Sequence, residues 1–195
     1  PSVLVLNLSH NDFGDEGAKA LAKALESGNC PPGLELYLTE NEIGDKGAQA
    51  LAHALKSGNC QSGLKLNLFN NNIGAKGVQA FAEALMSGNC PSRLRLHLGS
   101  NRIGYKGARA LAEALQSGNC PSGLGLFLAI NEIGYKGAQA FAKALWTGNC
   151  PSGLSLDLIW NNIGRGAKSL ASPLVHGVCQ FGTTIDVYHE HDQNW

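Results

Sequence analysis

The chain has 195 residues, about one domain's worth, and its 15 Lys and Arg balance 15 Asp and Glu, so no net charge draws it onto nucleic acid or acidic lipid. Hydrophobic residues make up 44% and aromatic ones 7%, which fits a folded core of small aliphatic side chains and excludes a disordered tail. The longest stretch without Asp, Glu, Lys or Arg, Ala114 to Asn131, carries Gln116, Asn119, Pro121 and several Gly and Ser, so it is no membrane-spanning helix. The chain opens on Pro1, with neither an initiator Met nor the basic and apolar regions of a signal peptide, and it reads as a fragment of a longer protein.

Repetition organises everything that follows. Asn11, Asn41, Asn71, Asn101, Asn131 and Asn161 recur every thirty residues, each preceded by alternating leucines such as Leu34, Leu36 and Leu38 and followed by an Ile-Gly or Phe-Gly pair. The triplet Gly28-Asn29-Cys30 returns in the same register at Gly58, Gly88, Gly118 and Gly148. Six units result. Within a unit, Leu64-Lys65-Leu66-Asn67-Leu68 alternates with period two and predicts a strand with one buried face. Val78, Phe81, Ala82 and Leu85 then fall at i, i+3, i+4 and i+7, predicting a helix of about three turns with one apolar stripe. Gly88 is placed to end it. In the sixth unit, Asn161 to Gly166 is one residue shorter than Asn131 to Gly137, and Pro173 is expected to interrupt the helix. Thr183, Ile185 and Val187 fall where strand leucines would be, predicting a C-terminal capping strand. The division expected is repeats over 1–172 and a capping segment with tail over 173–195.

One strand and helix cannot bury its own apolar face, so the units must stack. Strands pair at about 4.8 Å whereas helices need roughly 8–10 Å, so the stack curves with strands inside and helices outside. The expected architecture is an α/β solenoid, a horseshoe with a parallel sheet on its concave face. Each repeated Asn is expected to satisfy backbone groups that turn inward after the strand.

The run Leu-x-Leu-x-Leu-x-x-Asn-x-Ile-Gly-x-x-Gly-Ala-x-Ala-Leu-Ala-x-Ala-Leu resembles the ribonuclease-inhibitor class of leucine-rich repeats over nearly the whole chain. It departs from the usual motif in having one residue, not two, between its first two leucines, as between Leu34 and Leu36. Its uniformity also resembles the leucine-rich-repeat effectors that intracellular bacterial pathogens deliver into host cells. The resemblance implies a horseshoe fold and a protein partner, and, for an effector, secretion by a bacterium into the host cytosol. Relatives in the class include a GTPase-activating family and the repeat domains of innate immune receptors.

Chemistry-bearing motifs are sparse. Cys30, Cys60, Cys90, Cys120, Cys150 and Cys179 occur once per unit and never as Cys-x-x-Cys, which favours a ladder of small buried side chains over disulfides or a metal site; reduced thiols suit a cytoplasmic setting. His189-Glu190-His191-Asp192 reads as a solvated tail. No phosphate loop or nucleophile–base pair occurs, so no cofactor, no metal and no catalytic activity are expected.

Function should then sit where units differ although the scaffold does not require it. The inward positions run from acidic at Glu35 and Glu40, past Tyr37, through basic at Lys65 and Arg95, to apolar at Phe127, Ile130, Ile159 and Trp160, with Phe69, His97 and Asp157 among them. Aromatic and aliphatic residues with an Arg and a Tyr as anchors suit a protein interface. Tyr105 and Tyr135, equivalent to Asp15 and Asp45, either extend that surface over the rim or cover helix starts. Trp146 falls on the outer side of its helix. The leading expectation is a non-catalytic module, a monomer on its own, that grips a folded protein; the resemblance to ribonuclease inhibitor implies an enzyme partner blocked sterically. The alternatives are a regulator of a small GTPase and a ligand-sensing fragment of an immune receptor.

Overall fold

The computed structural model describes residues 3–187; the His189 to Asp192 run lies outside them. Strands and helices alternate as β1 (Val5–Asn7), α1 (Gly14–Glu26), β2 (Glu35–Tyr37), α2 (Asp45–Lys56), β3 (Lys65–Asn67), α3 (Ala75–Met86), β4 (Arg95–His97), α4 (Gly104–Gln116), β5 (Gly125–Phe127), α5 (Gly134–Trp146), β6 (Ser155–Asp157), α6 (Gly166–Val175) and β7 (Thr184–Asp186). The seven strands form one sheet in chain order, and every neighbouring pair is parallel. This is the α/β solenoid the repeats predict.

Register follows directly from the period. Leu36 stands opposite Leu66, Leu66 opposite Leu96 and Leu96 opposite Leu126, each pair thirty residues apart because each unit has the same length. The residue missing from the sixth unit shifts only the last pairing, where Leu156 meets Ile185. The central strand leucines point into the core with Leu38, Leu68, Leu98 and Leu128, while their neighbours in sequence face the other way. On the helices, Val78, Phe81, Ala82 and Leu85 are all buried, as the stripe requires. Consecutive helices lie side by side along the stack, their buried alanines Ala48, Ala82 and Ala112 allowing close approach.

The Asn ladder does more than satisfy its own turn. Oδ1 of Asn71 accepts N–H bonds from Asn41 and Ile43 of the preceding unit at 3.1 and 2.9 Å. Its Nδ2 donates to Leu38 of that unit at 2.9 Å and to its own Leu68 at 3.1 Å. Asn41, Asn101, Asn131 and Asn161 make the same kind of bridge. Each carboxamide therefore ties two units together across a region where no strand pairing is available.

The cysteines form a second column at the helix ends. Cys60, Cys90 and Cys150 are buried, Cys30, Cys120 and Cys179 half-buried, and all six are free thiols. Sγ of Cys60 and of Cys120 donates to the carbonyls of Ala54 and Ala114 at 3.5 and 3.3 Å. Burial pushes the Cys90 and Cys120 thiols up to about 12, with neighbouring cysteines adding to the shift; such thiols stay protonated and unreactive.

The C-terminal end corrects one expectation. Pro173 does not interrupt α6: it is buried inside the helix, which continues to Val175. α6 has 10 residues against 12 or 13 in the other helices because it starts later, at Gly166, the equivalent of Gly137 inside α5, while its end at Val175 is the equivalent of Trp146. The capping strand is present as β7 and pairs with β6 as expected.

Candidate interaction surface

Because side chains alternate along each short strand, the sheet's open face carries two rows. In the first, Glu35, Lys65 and Arg95 stand side by side and are followed by the short residues Gly125, Ser155 and Thr184. The second runs Tyr37, Asn67, His97, Phe127, Asp157 and Asp186. Beyond the strand ends lie Phe69 and Ile159, with Ile130 and Trp160 at the next position of their units.

The polar half of this face is occupied with itself. Tyr37 donates to Oε2 of Glu35 at 2.8 Å, and Nζ of Lys65 donates to the Tyr37 hydroxyl at 2.9 Å and to Glu35 at 3.4 Å. The Tyr37 hydrogen bond, with the Lys65 charge, holds the Glu35 carboxyl below its ordinary range. Hydrogen bonding to Tyr37 and the charge of Glu35 raise Lys65. Further along, Glu40 pairs with His10 Nδ1 at 3.1 Å. The expected passage from an acidic to a basic zone is therefore corrected: Glu35 and Lys65 neutralise each other across neighbouring strands.

From β4 onward the arrangement changes. The Phe127 ring lies flat on His97, centroids 4.1 Å apart and planes 8° from parallel, with the Arg95 guanidinium 5.8 Å from the Phe127 centroid. Burial, helped by Lys65 and Arg95, lowers His97 to about 4, so the imidazole is neutral at physiological pH. Among the described residues its Nε2 is buried without a hydrogen-bond partner. The stack is possible because residue 125 is glycine: a Cβ there would sit 2.7 Å from the Phe127 ring. Gly99 makes room for Phe69 in the same way, a Cβ there falling 2.9 Å from that ring. Asp157, beside Phe127, accepts the Ile159 N–H at 2.9 Å, yet burial, with Asp186 adding repulsion, raises its carboxyl.

Ile130 is 49% exposed and Trp160 38%, and both adopt left-handed backbone, φ 57° and 59°. The same position holds His10, Glu40, Asn70 and Ser100 in earlier units, all left-handed. Polar and short residues tolerate that conformation; a β-branched one does so at a cost.

Tyr105 and Tyr135 lie elsewhere, in the first turns of α4 and α5. Their column works across the joint between units. Asp15 accepts N–H bonds from Gly44 and Gly47 at 2.8 Å, and Asp45 from Gly74 and Gly77 at 2.8 Å, so each carboxylate caps the helix of the following unit. Tyr105 reaches Lys136 at the start of α5, its ring 5.8 Å from that ammonium, and Tyr135 lies against Gly166 at the start of α6. Of the two expectations for these tyrosines, the covering of helix starts is the one their contacts match; they are not among the sheet-face side chains. Trp146, 46% exposed on the outer layer, meets His176 with centroids 5.4 Å apart.

Sequence reasoning missed Arg93, which is exposed beside Arg95 and left-handed at φ 57°. A signal was present: Gly33, Gly63, Gly123, Gly153 and Gly182 fill that place in other units. Among the described residues, no cluster of three or more His, Cys, Asp or Glu is placed to hold a metal ion, and no helix is long and apolar enough to cross a membrane. Residues 1–22, 34–52, 64–82 and 94–112 match the family model described as Leucine Rich repeat. No curated protein matches the chain.

Proposed function

We propose that this solenoid, four of whose units match the Leucine Rich repeat model, is a protein–protein interaction module that grips a folded protein on its concave face between β4 and β6. One observation carries this: Ile130 and Trp160 expose large apolar side chains on left-handed backbone, where the same fold elsewhere accepts His, Glu, Asn or Ser. Exposed aromatic and aliphatic anchors ringed by polar groups are what an interface centre uses. The stacked His97 and Phe127, with Arg95 beside them, extend the same area. Ile159 and Asp157 lie within it; Tyr37, Glu35 and Lys65 form its polar margin, with Phe69 between the two. A partner seated there that is an enzyme would be inhibited by being covered, the role the ribonuclease-inhibitor resemblance suggests, and an effector acting in a host cytosol would work in the same manner.

The test compares faces. Trp160→Ala and Phe127→Ala, each folded, are expected to weaken a partner purified on the wild-type chain at least fivefold, about 1 kcal/mol each. Trp146→Ala on the helix layer is expected to leave binding unchanged. Loss on Trp146→Ala alone would move the site to the outer surface.

A further inference from the structure

We propose that Arg93 and Arg95 form a paired clamp for the carboxylates of an acidic, extended segment of the protein partner. The inference rests on the concave face being a protein-binding surface and names the chemistry recognised at one edge of it. Its starting point is backbone. The turn before each strand from β2 onward is left-handed, and glycine supplies it at Gly33, Gly63, Gly123, Gly153 and Gly182, with φ between 68° and 79°. The fourth unit alone puts an arginine there, Arg93 at φ 57°, where a residue other than glycine is strained. The repeat does not ask for an arginine at this turn.

The next unit provides a bed for both stems. Cγ of Arg93 lies 3.1 Å from where a Cβ on Gly123 would be, and Cγ of Arg95 lies 3.4 Å from that place on Gly125. The two guanidiniums are thus carried two residues apart along one edge, and both residues are exposed. Neither has an ion-pair partner among the described residues. The neighbouring carboxylate of Glu35 is already held by Lys65 and Tyr37, and on the other side the row continues with Gly125, Ser155 and Thr184. The result is a local positive excess in a chain of zero net charge, beside a shelf of short side chains with room for another chain.

A guanidinium fork matches a carboxylate geometrically. Two such forks two residues apart suit side chains i and i+2 of an extended strand, about 6.6 Å apart on one face. The occupant is therefore an Asp- or Glu-bearing stretch with alternate acidic residues.

Fluorescence anisotropy on the full chain tests this with two labelled twelve-residue peptides, one alternating Glu with Thr and one alternating Gln with Thr. The Glu peptide is expected to bind at least tenfold tighter at low salt, the preference falling as salt rises. Arg93→Gly and Arg95→Gln should each abolish that preference. Arg93→Gly restores the residue used by the other units, so its unfolding temperature should equal or exceed that of the wild type, which separates recognition from folding. Equal binding of the two peptides, no binding of the Glu peptide, or an unchanged preference in Arg93→Gly would overturn the clamp. If Trp160→Ala and Phe127→Ala lose the purified partner while Arg93→Gly keeps it, the clamp fails alone. If all three keep it, the concave-face reading fails as well.

Discussion

Units two and three begin their helices differently from units four and five, although the sequences at those starts are nearly the same. Gly44 and Gly74 are extended, φ −100° and −99°, and donate to Asp15 and Asp45 of the preceding unit. The Ile43 and Ile73 carbonyls accept from Asn72 and Arg102 of the following unit. Gly104 and Gly134 are left-handed, φ 57° and 64°, and their N–H groups instead face forward to the carbonyls of Asn131 and Asn161. The peptide before the glycine has turned over. What differs is one side chain thirty residues earlier: Asp15 and Asp45 precede the first kind of start, Ala75 and Tyr105 the second. A repeat's local conformation is thus set by its predecessor. The concave face divides at nearly the same place, since Glu35 and Lys65 pair with each other whereas Arg93 and Arg95 have no ion-pair partner among the described residues.

The largest expected effect is common to both halves and sets the scale for the contrast. Asn101→Ala removes the acceptor for the Ile73 N–H and the donor to the Leu68 and Leu98 carbonyls, leaving buried backbone unpaired. It should cost on the order of 3–5 kcal/mol and lower the unfolding temperature by roughly 10 °C. Asn11→Ala, whose Nδ2 donates to the exposed carbonyl of Ser9, should cost less than about 1 kcal/mol.

The next effect belongs to the second half. His97 titrates at about 4 when folded against an ordinary value of 6.5, so the unfolded chain takes up the proton first. The stability that depends on neutral His97 is complete above pH 6.5 and is lost as pH falls toward 4. Relative to His97→Phe, the wild type should lose on the order of 1–2 kcal/mol between pH 7 and pH 4.5 in denaturant unfolding. Parallel pH curves would show that the stack does not exclude the charge.

Smaller again is the cap. Asp45→Ala should cost about 1 kcal/mol and turn Gly74 to the left-handed form, visible as a changed amide environment at Arg102. Ala75→Asp should do the reverse at Gly104, making unit four start like units two and three. The smallest effect is at Asp157: with burial and Asp186 raising its carboxyl, the fold favours the protonated form, and the ionised one is tolerated at neutral pH. Asp157→Asn keeps the oxygen that accepts from Ile159 and should stabilise the chain by about 0.5 kcal/mol at pH 7 in the same unfolding assay.

The fold was legible because period, alternation and helical stripe all act within one unit or between identical neighbours. Leu66 and Phe81 reveal their faces by spacing alone, and Asn71 was readable as a backbone partner. That it reaches into the preceding unit was not, since this depends on how closely units stack. The candidate surface was legible as positions but not as states. Nothing in the order of residues says that Glu35 bends onto Tyr37 and Lys65, that Gly125 exists to admit the Phe127 ring, or that Tyr105 covers a helix start. Arg93 marks the opposite case, a break in a glycine column visible in the sequence whose meaning needed the backbone angle. Pro173 misleads because a helix already packed on α5 accommodates it in the last turn.

The most direct measurement of the central claim is amide hydrogen exchange on the chain alone and saturated with its purified protein partner. Binding on the concave face predicts new protection in β4, β5 and β6 and in the turns holding Arg93, Ile130 and Trp160, with α1 to α6 unchanged. Protection centred on Trp146 and the outer helices, with those three turns exchanging as before, would contradict it.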